Sequence, residues 1–111
     1  MPIIVNPEQT NVTRRGDGWQ EITLADAQTI GAPAMVARRW RLEPRAQGPE
    51  LIQGETDQLL YVIRGNGQAI VDGQTFPLND ESVLWLEADE HYRFIAGPDG
   101  LEILQGYAPG E

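Results

Sequence analysis

The stretch Glu50-Leu-Ile-Gln-Gly-Glu-Thr-Asp-Gln-Leu-Leu-Tyr-Val-Ile-Arg-Gly65 (ELIQGETDQLLYVIRG) changes from polar to apolar at Leu59. Every residue from Leu59 to Ile63 is apolar and three of them are β-branched or aromatic, the composition of a strand covered on both faces. Gln53 and Gln58 stand at the mouth of that strand. They are neutral amides at positions where a binding site usually places a group that ionises.

Working outward from this strand, turn signals recur at short intervals. Gly65-Asn66-Gly67 predicts a tight hairpin into a short strand over Gln68 to Val71, and Asp72-Gly73 predicts a second. Asn79-Asp80 follows as a turn, then a strand from Ser82 to Leu86 and a polar corner from Glu87 to Glu90. His91 to Ile95 reads as a strand, Gly97-Pro98-Asp99-Gly100 as a turn, and Leu101 to Tyr107 as the closing strand. Upstream, Val36 to Leu42 alternates, with Val36, Arg38, Trp40 and Leu42 on one face. Only Leu24 to Thr29 suits a turn or two of helix, because eight Pro and twelve Gly divide the rest. Roughly nine or ten short strands with regular turns predict an antiparallel all-β sandwich or barrel.

Composition narrows the function. The 111 residues suffice for one domain, which buries roughly two-thirds of its unfolded surface. A net charge of −9, with eight Arg and no Lys, repels phosphate backbones and anionic membrane surfaces. The absence of cysteine excludes disulfides, thiolate metal sites and cysteine nucleophiles. No basic region or long apolar segment opens the chain, so neither a secretion signal nor a membrane span is expected, and a cytoplasmic location is. No glycine-rich phosphate loop precedes a helix. A Ser-His-Asp triad needs Ser82, the only serine, beside His91, and no nucleophile turn surrounds it.

In this order the features resemble the cupins, the small jelly-roll or double-stranded β-helix barrels. Pro44 stands at the family's first corner, Leu51 and Gln53 occupy the positions of its His-x-His pair, and Gln58 takes the place of its Glu. Tyr61-Val-Ile-Arg-Gly65 matches the apolar strand ending in Gly, Asn79-Asp80 the later turn, and His91 the second-motif histidine. The resemblance runs from about Val36 to Pro109. It implies one domain over residues 1–111, with 1–35 as N-terminal strands and lead-in and 36–109 as the barrel.

What departs from the family pattern bears most on function. Metal-binding cupins converge three His and the Glu on one ion, imidazole and carboxylate both suiting a divalent cation. This chain keeps one of the four. Leu51 cannot ligate, and Gln53 and Gln58 offer only uncharged amide oxygens, so no metal is favoured. If one is present, Gln53, Gln58 and His91 would hold zinc, iron, manganese or nickel.

The expected cavity is therefore lined by Leu51, Gln53, Gln58 and His91. Arg38 and Arg93 share strand parity with Trp40 and His91, which sets them beside the interior or lets them reach solvent from a barrel end. Trp40 and Trp85 are expected in the core, one of them walling the pocket, and Gln58 either meets ligand or caps its strand. The expected function is binding of a small polar molecule, a sugar or a carboxylate. The enzymatic alternative is an isomerase, lyase or oxygenase with His91 as general acid or base or as ligand of a weak metal site. The resemblance also implies a homodimer, covered by Ile3-Ile-Val5 and the outer residues Leu59, Tyr61 and Ile63.

Overall fold

The strand that carries the apolar run from Leu59 extends well past the expected turn. The computed structural model describes residues 12–25, 36–52 and 56–107. Its strands are β1 (Val12–Gly16), β2 (Trp19–Ala25), β3 (Val36–Leu42), β4 (Leu51–Ile52), β5 (Gln58–Val71), β6 (Gln74–Leu78), β7 (Val83–Leu86) and β8 (His91–Tyr107). Every pairing is antiparallel. Leu24 and Ala25 end β2 rather than starting a helix, and 26–29 lie outside the described residues.

Two expected turns are corrected. Asn66-Gly67 does not close a hairpin, and 97–100 does not separate two strands, because β5 and β8 each run straight through. Residues on both sides of Asn66 pair with β8, from Gln58↔Tyr107 to Val71↔Tyr92, so a local hairpin would forfeit half of that ladder. Register shifts at Val62/Arg64 and Gly65/Gly67 bend the ribbon instead. Gly65 makes the bend possible: its φ is 99°. A Cβ there would fall 2.2 Å from the Gly100 carbonyl oxygen. Asp72-Gly73 does form its hairpin, with φ of 47° and 83° as a type I′ turn requires.

The bent ribbon gives the molecule its two layers. One arm, the C-terminal half of β8 and the start of β5, is extended by β3, β2 and β1 on one side and by β7 on the other. The other arm joins the start of β8 and the end of β5 to β4 and β6. Inward residues of the two arms meet in one core. Trp40 packs edge-on to Phe94 with ring centroids 6.3 Å apart, and Tyr92 and Trp19 extend the cluster.

The parity of β8 follows from transfer energies. Burying each large apolar side chain contributes roughly 1.5–3 kcal/mol. Tyr92, Phe94 and Ala96 therefore take the inner face, and His91, Arg93 and Ile95 the outer one.

Candidate functional site

The open end of the bent ribbon is built from strand termini. β3 begins at Val36, β8 ends at Tyr107, β5 begins at Gln58 and β7 ends at Leu86, and these four residues form one cross-strand row. On the opposite arm Leu51, Tyr92 and Val71 form the matching row. Polar side chains collect at this end, while at the other end the ribbon bends with the Gly65 and Gly100 backbones in close approach.

Their hydrogen bonds form a chain whose polarity is fixed at one point. An indole N–H can only donate. Trp40 Nε1 donates to Gln105 Oε1 at 2.8 Å, so the Gln105 amide must present its NH2 on the other side. There Gln105 Nε2 donates to the Tyr92 hydroxyl at 2.9 Å and to Gln58 Oε1. Gln105 is thereby satisfied at every atom. Gln58 is not: it is 1% exposed, its oxygen is engaged, and its Nε2, though near the Tyr92 hydroxyl, makes no hydrogen bond of acceptable geometry among the described residues. Burial pushes the Tyr92 phenol above its usual range, against the opposing pull of the neighbouring Gln58 and Gln105 amides. The phenol therefore stays protonated near neutral pH.

Beside this chain lies a strip of charge. Glu21, on the inner face of β2, is buried and accepts from Arg14 Nε at 3.3 Å and Nη2 at 2.8 Å. Arg38 approaches the same carboxylate only to 3.9 Å and stacks over Tyr107 at 5.5 Å. Its Nε is buried without a hydrogen-bond partner among the described residues.

The sequence-derived residues separate in this structure. Leu51, Gln58 and Arg38 face the inner side near the open end. Gln53 lies outside the described residues. His91 is corrected: its side chain points outward, 53% exposed, with Nδ1 3.5 Å from Glu50 Oε1, and Tyr92 holds the inward place. Arg93 is likewise outside, donating to the Gly48 carbonyl oxygen. Trp85 is no core residue: it is 60% exposed and its indole donates to Asp57 Oδ2 at 3.2 Å. Gln105, Tyr92, Tyr107 and Glu21 were not foreseen. Gln105 left a signal, a polar residue in step with Leu101 and Ile103 along an otherwise apolar inner face.

No family model and no curated protein matches the chain. Solved structures do. KdgF from Halomonas sp. superposes with a TM-score of 0.77 at 17% identity, over 100% of this chain and 97% of its own. An RmlC-like cupin from Shewanella frigidimarina gives 0.76 at 19% identity, over 96% and 89%. A predicted oxalate decarboxylase from Thermotoga maritima gives 0.78 at 15% identity, over 94% and 96%. The fold is that of a cupin.

A cupin barrel is a frequent metal holder, so the donor set needs testing against a divalent ion. Leu51 has no donor atom, Gln58 Oε1 faces the Gln105 amide, and His91 lies on the other side of the sheet. The described residues contain no group of three or more His, Asp or Glu placed to hold a metal. The cupin metal positions that are described do not converge, and the described residues do not fit a first-row cation.

Proposed function

We propose that this cupin-fold chain binds a small polar molecule at the open end of its barrel, without a tightly held metal. The observation that carries this reading is Gln58, a fully buried side chain at the rim row whose amide NH2 lacks a hydrogen-bond partner among the described residues. Leaving such a donor unmatched costs about 1–3 kcal/mol, and a ligand oxygen would recover it. A binding or auxiliary role accounts for this better than general acid–base work by His91, which faces the outer groove with Glu50 and Asp72.

The same reading takes residues 1–111 as one cytoplasmic barrel domain acting as a homodimer. Among the described residues no helix is long and apolar enough to cross a membrane. Leu59, Ile63, Val83, Trp85 and Leu104 are exposed on the outer face of β5, β7 and β8, where Leu59 pairs with Trp85 and Tyr61 with both Val83 and Leu104. An apolar strip continuous across three strands is the kind of surface an isologous contact covers.

Thermal-shift screening of a metabolite panel, with and without chelator, tests the binding reading. Ligands should raise the melting temperature equally in both conditions. Loss of stability on chelation, together with stoichiometric metal in the purified protein, would overturn it.

A further inference from the structure

We propose, resting on that binding role, that the ligand is a small organic carboxylate whose oxygens accept from Gln58 Nε2 and Arg38. The hydrogen-bonding capacity left at the open end is one-sided. Gln105 Oε1 faces the Trp40 indole, Gln58 Oε1 faces the Gln105 amide, and Glu21 is held by Arg14. Among the described residues, the buried side-chain atoms left unmatched here are donors: Gln58 Nε2 and Arg38 Nε. Arg38 and Gln58 both border Tyr107, the first by stacking on its ring and the second as its cross-strand partner. They also flank Gln105, which pairs with Arg38 across β3 and β8 and bonds to Gln58.

A hydroxyl-rich ligand fits this set less well. Each hydroxyl must donate as well as accept, and the Gln58, Gln105 and Glu21 side-chain oxygens already meet donors. A carboxylate only accepts, and charge-assisted bonds are roughly twice as strong as neutral ones.

Charge points the same way. The ionisable side chains described on the inner face of β1, β2 and β3 are Arg14, Glu21 and Arg38, two positive and one negative. The chain as a whole carries −9, but the molecule extends 40 × 30 × 24 Å and exposed charges are screened beyond about 8 Å. Asp57, next to Gln58 in sequence, turns its carboxylate to Trp85 Nε1 and the Ala88 amide instead of the interior.

The test titrates the native protein with acetate, propionate and butyrate, with their uncharged primary amides, and with glycerol and glucose. Binding is followed by calorimetry and by the side-chain NH2 resonances of Gln58. The carboxylates should bind and move those resonances, while the amides should not. Arg38→Gln and Gln58→Glu should each weaken carboxylate binding by roughly 10- to 100-fold. If Gln58→Glu fails to fold, Arg38→Gln decides, since Arg38 is partly solvent-exposed. Binding of glycerol or glucose without the carboxylates, or equal binding of acids and amides, would overturn the carboxylate assignment and leave the binding role standing. No response to any organic probe would overturn both.

Discussion

Trp40 Nε1 and Gln105 Oε1 lie 2.8 Å apart, across the paired strands β3 and β8, at positions 65 apart in the sequence. This bond orients three side chains at once, because it decides which end of the Gln105 amide meets Tyr92 and Gln58. Trp40→Phe removes the donor and leaves a buried carbonyl unpaired, at a cost of about 1–3 kcal/mol beyond lost packing. A double-mutant cycle of Trp40→Phe with Gln105→Leu, read by urea unfolding, should give a coupling energy of about 1 kcal/mol. Strict additivity would show that the two do not act as a unit.

The ribbon bend rests on Gly65. Alanine there meets both a positive φ and the Gly100 carbonyl, and should destabilise the chain by roughly 2 kcal/mol or more. Gly73 also has a positive φ, yet nothing lies within 4 Å of its Cβ position. Gly73→Ala should therefore cost only about 1 kcal/mol, the dihedral penalty alone. Equal losses in thermal unfolding would mean that the close approach contributes nothing.

How much of this was legible beforehand depends on the range of the forces involved. Local signals sufficed for the Asp72-Gly73 hairpin and for the inward row of β3, where turn chemistry and alternation agree. They misread Asn66-Gly67, because a turn propensity within a few residues was outcompeted by pairing with β8, some 30 residues further along the chain. The site was misread for a related reason. His91 was set inside by its place in a family motif, whereas Tyr92, Phe94 and Ala96 were already marked by alternation as the apolar face of that segment. The Trp40–Gln105–Gln58 chain joins strands distant in sequence, and only their register brings it together.

On the outer face, Glu102 gathers Arg39, Arg41 and Arg64 at 2.6, 3.2 and 2.7 Å. Burial acts to raise its pKa, but hydrogen bonds from Arg64 and Arg39 and the charges of Arg39 and Arg41 outweigh that and hold it at about 2 instead of 4.5. Because the folded-state value is the lower one, the stabilisation is complete above pH 4.5 and drains away as the pH falls toward about 2. Glu102→Gln should lose roughly 1–3 kcal/mol at neutral pH. It should also show a flatter stability profile across that acid window in urea titrations. An unchanged profile would remove Glu102 as the source.

The apolar strip around Trp85 should hold two copies together. Sedimentation of the native chain at micromolar concentration should give twice 12.3 kDa, and Trp85→Glu should return the monomer with its fold intact. A native monomer would reject this contact.

A high-resolution crystal structure with an anomalous-scattering scan tests the central claim most directly, that the open end is a donor site for an acceptor ligand and not a remodelled metal centre. The account predicts Gln105 Oε1 toward the Trp40 indole, Gln58 Nε2 directed at a ligand or water oxygen, and no anomalous peak at the open end. A metal ion there with Gln58 Oε1 in its coordination shell would contradict it.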